Sequence, residues 1–181
     1  MRIRFAGLLG MLLCAMFLSF AEANVPAPKI VRKQLLLALE NRKLTDSLDK
    51  VFAAAPNKSP LNVCYFGVIQ ALKAKHAWNP YYKVKYLNDA EKILQTAVNH
   101  EPDNIEIRFM RFSIEHNVPG FLGYTKHLVA DREEMIKQLE RKYYATADQD
   151  VVITIIKFLL ESKRCTSHEN DFLHKQLAAI K

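Results

Sequence analysis

The 181-residue chain has only five glycines, and none belongs to a Gly-x-Ser-x-Gly elbow, a phosphate-cradling loop or a dinucleotide fingerprint. The usual backbone devices for a serine nucleophile or a bound nucleotide are therefore missing. No Cys-x-x-Cys occurs, which removes the common zinc-ribbon and thiol-redox patterns. His168 and His174 flank a zincin-like HENDFLH. They are six apart, about 240° around a helix, whereas that chemistry needs two histidines four apart on one face. No metal and no other cofactor is expected. Basic residues outnumber acidic ones 26 to 19, a net charge of +7, yet no basic run exceeds the two residues of a pair such as Lys163-Arg164. A spread surplus of this kind favours acidic partners and anionic surfaces in general and is no nucleic-acid signature.

What the chain has in quantity is helix formers: half of it is apolar, and Leu, Ala, Lys and Glu are plentiful. With so few backbone breakers, that composition predicts an all-α domain with a real core. The first residues stand apart. Arg2 and Arg4 precede an uncharged apolar run from Phe5 to Phe20, and Ala21-Glu22-Ala23 follows. This is the pattern of a secretory signal peptide cleaved after Ala23. The run is shorter than the ~20 residues of a spanning helix. Leu13 stands before Cys14 where a lipobox needs a small residue. The expected organisation is a signal peptide over 1–23, an extended leader over 24–28 and one α-helical domain over 29–181, periplasmic or secreted. The remaining chain carries 24 basic and 18 acidic residues, or +6, and no second apolar stretch long enough to cross a membrane. Cys64 and Cys165 then stay in an oxidising compartment, where a disulfide and a buried free thiol are both open to them.

Periodicity and capping signals predict seven to eight helices. Ile30, Leu35, Leu36 and Leu39 form a first stripe, continuing through Lys43, and Leu44, Leu48, Val51 and Phe52 a second. Ser59-Pro60 and Asn79-Pro80 each place a capping side chain before a proline suited to the first helical turn. The helix after Pro60 is apolar nearly all round, which predicts a central position, and its Gly67 predicts a close crossing. Asp103 or Asn104 caps the next segment after Pro102. A long helix is expected from Thr125 to about Tyr144, with Asp131, Glu133 and Glu134 on a solvated face. Asp148 is a cap for the apolar segment Val151–Leu160. That segment's β-branched residues would suit a strand, but no partner strand exists, so it reads as a buried helix. Thr166 and Glu169 have capping-box spacing.

Ala90, Leu94, Ala97 and Pro102 stand at the small, large, small and proline positions of the second helix of a tetratricopeptide repeat, and Tyr65-Phe66-Gly67 is similar to the first. The segment covers roughly forty residues, and its connection from His76 to Tyr82 is too long for a standard repeat. The resemblance implies antiparallel helix pairs offering a groove to a protein or peptide, without a regular array. The run PDNIEIRFMRFSIEHNVPGFLGY also resembles uncharacterised exported helical proteins of Bacteroidota-type bacteria, which implies periplasmic placement and brings no site residues.

Two constellations are the candidate binding residues. Arg108 and Arg111 share a helix face and suit a carboxylate clamp, set against a simple surface pair of Arg111 with Glu115. Trp78, Tyr81 and Tyr82, interleaved with Lys83 and Lys85, suit a rim for a peptide or glycan, set against rings that close the long connection onto the core. Phe121-Leu122-Gly123-Tyr124 is expected to plug into the domain. The function expected is a non-enzymatic interaction or scaffold protein. The alternatives are a binder of an anionic small molecule or polymer at Arg108 and Arg111, and an enzyme with His100, His116 or His127 in a pocket.

Overall fold

A computed structural model describes residues 25–55, 58–142, 144 and 147–180. The expected signal peptide over 1–23 and its expected cleavage point lie outside the described residues. Among the described residues there are eight α-helices and no strand. These are α1 (Pro28–Ala38), α2 (Arg42–Ala54), α3 (Pro60–His76), α4 (Pro80–His100), α5 (Ile105–Asn117), α6 (Leu128–Glu140), α7 (Gln149–Glu161) and α8 (Ser167–Ile180). A single 3-10 turn, Gly120–Leu122, joins α5 to α6. None of these helices is long and apolar enough to cross a membrane.

Local chemistry sets most boundaries. Ser59 Oγ accepts from the Asn62 amide at 3.3 Å, and Asn79 Oδ1 from the Tyr81 amide at 2.9 Å. Asn104 Oδ1 accepts from both Glu106 and Ile107. The capping box closes in both directions: Thr166 N–H donates to Glu169, and Glu169 N–H to Thr166 Oγ1. Three boundaries differ from the sequence reading. Pro28 is already helical, so the leader ends at Ala27. The first stripe stops at Ala38 because Asn41 caps a new helix through the Leu44 amide. α6 starts at Leu128 and ends at Glu140.

α3 is the central helix. It packs most extensively on α4 and also touches α1, α2 and α5. The odd-numbered helices meet in chain order, α1 on α3, α3 on α5 and α5 on α7, while α2, α4, α6 and α8 pack on the helix before them. Two apolar clusters result. The first joins α1 to α4 with Ile107, and the second joins α5 to α8. α5 contributes to both. Gly67 allows the closest approach: a Cβ there would lie 2.8 Å from Leu94 Cγ and 3.3 Å from Ile93 Cγ2. The β-branched segment of α7 is buried as a helix, through Val151, Val152, Ile155 and Ile156.

Candidate functional site

α5 carries Glu106, Arg108, Arg111 and Glu115: Glu106 reaches α1 and α3, the two arginines share Asp131 of α6, and Glu115 meets His127 just before α6. Glu106, in the first turn of the helix, accepts from the Tyr65 hydroxyl of α3 at 2.6 Å and from Arg32 of α1 at 3.1 and 3.3 Å. Arg32 also pairs with Asp148 at the start of α7. Asp148 therefore spends its carboxylate on Arg32, and no side-chain cap bond forms on α7. One polar cluster thus ties α1, α3, α5 and α7 together near their N-terminal ends. Burial opposes the Arg32 charge, but Glu106 and Tyr65 outweigh it and hold the guanidinium above its ordinary value. Burial first, then the Glu106 carboxylate, pushes the Tyr65 phenol far above its ordinary range, so Tyr65 remains a proton donor.

One turn further along α5 lie the two arginines. Arg111 donates to both oxygens of Asp131, from Nε at 2.7 Å and Nη2 at 2.6 Å, and its Nη1 donates to Gln95 at 2.6 Å. Arg108 donates to Asp131 at 2.9 Å and to the Pro102 carbonyl at 2.7 Å. The arginines do clamp a carboxylate, but the carboxylate belongs to α6 of the same chain. Asp131 is 0 % exposed and Arg111 is 3 % exposed. The geometry corrects two expectations. Arg108 and Arg111 do not present an open anion site, because Asp131 fills the fork of donors. Arg111 does not pair with Glu115 one turn on. Glu115 is buried, accepts from the His127 amide at 2.8 Å and lies 2.5 Å from the His127 ring Nδ1.

Asp131 was read as part of a solvated acidic face, and that face is in fact split. Asp131 sits at i+3 from Leu128, with Met135 and Leu139 at i+7 and i+11, all buried. Its helical phase was the available signal, masked by an exposed Glu133 and a half-buried Glu134. Glu133 pairs with Arg132 and Glu134 with Lys137.

The histidines do not converge. His127 is taken by Glu115, and His116 stacks on Phe112 and accepts from Arg164 Nε at 2.8 Å. Burial and the Arg164 charge lower the His116 pKa, in keeping with a neutral acceptor ring. His100 is exposed at the end of α4. The cysteines do not meet either. Cys64 is buried in the first cluster, its thiol 3.9 Å from the Ile107 carbonyl, and Cys165 packs on the second, 3.6 Å from the Leu159 carbonyl. Both are free thiols. Burial pushes Cys64 well up. Burial and Glu169 push Cys165 to about 11.

The aromatic connection turns outward. Trp78 is 91 % exposed, and Tyr81 and Tyr82 are also exposed. Tyr82 stacks on Tyr86 at 6.2 Å, and Tyr81 meets Tyr82 edge-on at 5.4 Å. Lys73 Nζ lies 4.6 Å above the Tyr86 ring. These rings form a rim and do not close the connection onto the core. The expected FLGY plug is likewise outside: Phe121 is 87 % exposed, and only Tyr124 is tied down, through its hydroxyl to Asn88 at 2.7 Å. Concave space is scarce. A notch of about 20 Å³ lies between α4, α5 and Tyr124, and an open depression of about 210 Å³ is lined by Leu128, Val129, Arg132, Lys163 and Arg164.

Comparison of the chain with protein-family models, with curated proteins and with solved structures gives no match.

Proposed function

We propose that the protein is an exported, non-enzymatic interaction or scaffold module, built as a tetratricopeptide-like stack of helix hairpins, that engages a protein or peptide through its row of odd-numbered helices. The observation that carries this reading is the chain-order contact of α1, α3, α5 and α7, fastened by Arg32, Tyr65, Glu106 and Asp148. Stacked hairpins leave one row of helices facing the same way, and such rows make extended binding surfaces. An anionic ligand at Arg108 and Arg111 is the weaker alternative, because Asp131 takes the position that ligand needs.

A photo-crosslinking residue placed at Lys33 on α1 or Lys157 on α7, both exposed, tests the reading in envelope extract. One and the same protein adduct is expected from both positions, and none from Lys50 on α2. Adducts that differ between the two positions, or their absence, overturn it.

A further inference from the structure

We infer that the end of the stack where α1, α3, α5 and α7 finish docks onto the surface of an anionic lipid bilayer. This goes beyond the peptide-binding row, because it uses the connections and the helix ends beside them.

Side-chain contacts fix which turns share that end. Lys75 reaches the Leu39 carbonyl at 2.7 Å, and His76 lies 2.9 Å from the Ala38 carbonyl, so α1 and α3 finish side by side. Tyr65 of α3 is level with Glu106 of α5. Eleven residues beyond each stand His76 and Asn117, the last residues of their helices. Arg164, just past α7, bonds His116. The α1–α2, α3–α4 and α5–α6 turns and the end of α7 therefore lie together.

Each of the three turns pushes apolar side chains into water. The first exposes Leu36, Leu37 and Leu39, the second Trp78, Tyr81 and Tyr82, and the third Phe121 and Leu122, with Val129 beside them. Among the described residues, the large apolar side chains that are exposed lie at this end, apart from Ile30 by the opposite end and Val84 one turn into α4. The outward stripe on α1 arises because Val31, Leu35 and Ala38 face the core instead of Ile30, Leu36 and Leu39. A 3-10 turn closed by Gly123, at φ +79°, holds Phe121 out.

The occupant follows from shape and charge. The apolar groups are spread over three connections, and the depression beside Val129 is open and also lined by Arg132, Lys163 and Arg164, so they suit a deformable surface better than a helix or strand. Trp and Tyr combine an apolar body with a polar edge, the pairing favoured at a membrane–water boundary. Lys83 and Lys163 have no carboxylate partner among the described residues, and Arg164, next to Lys163, donates to His116. Lys75 is paired with Glu40, and Lys126 with Glu91. Glu161 is the unpaired acid at this end. Basic stems can lie along the apolar tips while their heads meet lipid phosphate.

The chain has a single tryptophan, so Trp78 emission reports this face alone. The protein is titrated with phosphatidylcholine vesicles carrying about 30 % phosphatidylglycerol, a surface that attracts lysines. The expected result is a blue shift of Trp78, protection from acrylamide, and reversal at about 0.5 M salt, where screening is nearly complete. Phe121→Ser, on a different turn and outside α1–α8, should weaken partitioning about tenfold, as partial loss of one buried ring implies, with the helical circular dichroism unchanged. Lys83→Glu should weaken it roughly tenfold on anionic vesicles only. Trp78 remaining in water overturns the inference, and so does an equal shift on pure phosphatidylcholine. A shift produced by protein concentration alone assigns the face to a second copy and also overturns it. Failure here leaves the crosslinking test of the helix row untouched.

Discussion

The hairpins α3–α4 and α5–α6 have the same architecture and opposite fastenings. In α3–α4 the helices close through small residues: Gly67 sits against Leu94, and Ala90 and Ala97 are buried along the facing side. In α5–α6 they close through charge. Arg108 and Arg111 straddle Asp131, and Glu115 holds His127 one turn nearer the connection. Apolar closeness tolerates small errors of register because dispersion is spread over many contacts. A buried ion pair does not, since a lost partner leaves an uncompensated charge in low dielectric. Two fastenings of one motif should therefore fail differently.

The largest expected effect is on the charged hairpin. Asp131→Ala strands two guanidinium groups, one of them 3 % exposed, and should cost about 3–5 kcal/mol in urea unfolding. A loss below about 1 kcal/mol would mean the arginines relax into water, and the contrast between hairpins would collapse. Next comes the close hairpin. In Gly67→Ala the new Cβ meets Leu94 Cγ at 2.8 Å. The cost should be about 1–3 kcal/mol, less than for Asp131→Ala. A stabilised variant would mean that α4 shifts freely. Combining it with Leu94→Ala should give less than the sum of the two single losses, because both changes act on one contact.

The smallest effect is on reactivity and compares the thiols of the two core halves. Cys165 is raised to about 11, against about 8.5 for an unfolded cysteine. At pH 8 its thiolate fraction, and so its alkylation by iodoacetamide, should be lower than in the unfolded chain by on the order of a hundredfold. The sign of the linked stability follows. The neutral thiol is favoured in the fold, so its contribution is complete below about pH 8.5 and is lost as pH rises towards about 11. Cys64, wholly buried, should label only on unfolding. Equal labelling of both thiols under native conditions would remove the distinction between the halves.

Legibility followed the range of the interaction. Ser59, Asn79, Asn104 and the Thr166–Glu169 box act within three residues of themselves, and all four were readable. So was Gly67, because a glycine inside an apolar helix has few other uses. The candidate arginines were recognised as a carboxylate clamp, but their carboxylate is at least 20 residues away. A neighbour four residues on, Glu115, was the nearer and wrong partner. Phe121 was misplaced for the converse reason. Its apolarity argued for burial, whereas whether a turn residue faces the core depends on where the next hairpin lies.

The residues by themselves determined an all-α chain, the caps at Ser59, Asn79 and the Thr166–Glu169 box, the central place of α3 and the small-residue crossing at Gly67. These rest on backbone hydrogen bonding and on a 3.6-residue period, which act locally. Only the tertiary structure decided that Glu106 joins Arg32 and Tyr65, that Asp131 is buried between two arginines, and that three turns expose their apolar tips at one end. Each depends on how far one helix slides along another. That register is set by the sum of many weak contacts across the core and is written in no single stretch of the chain.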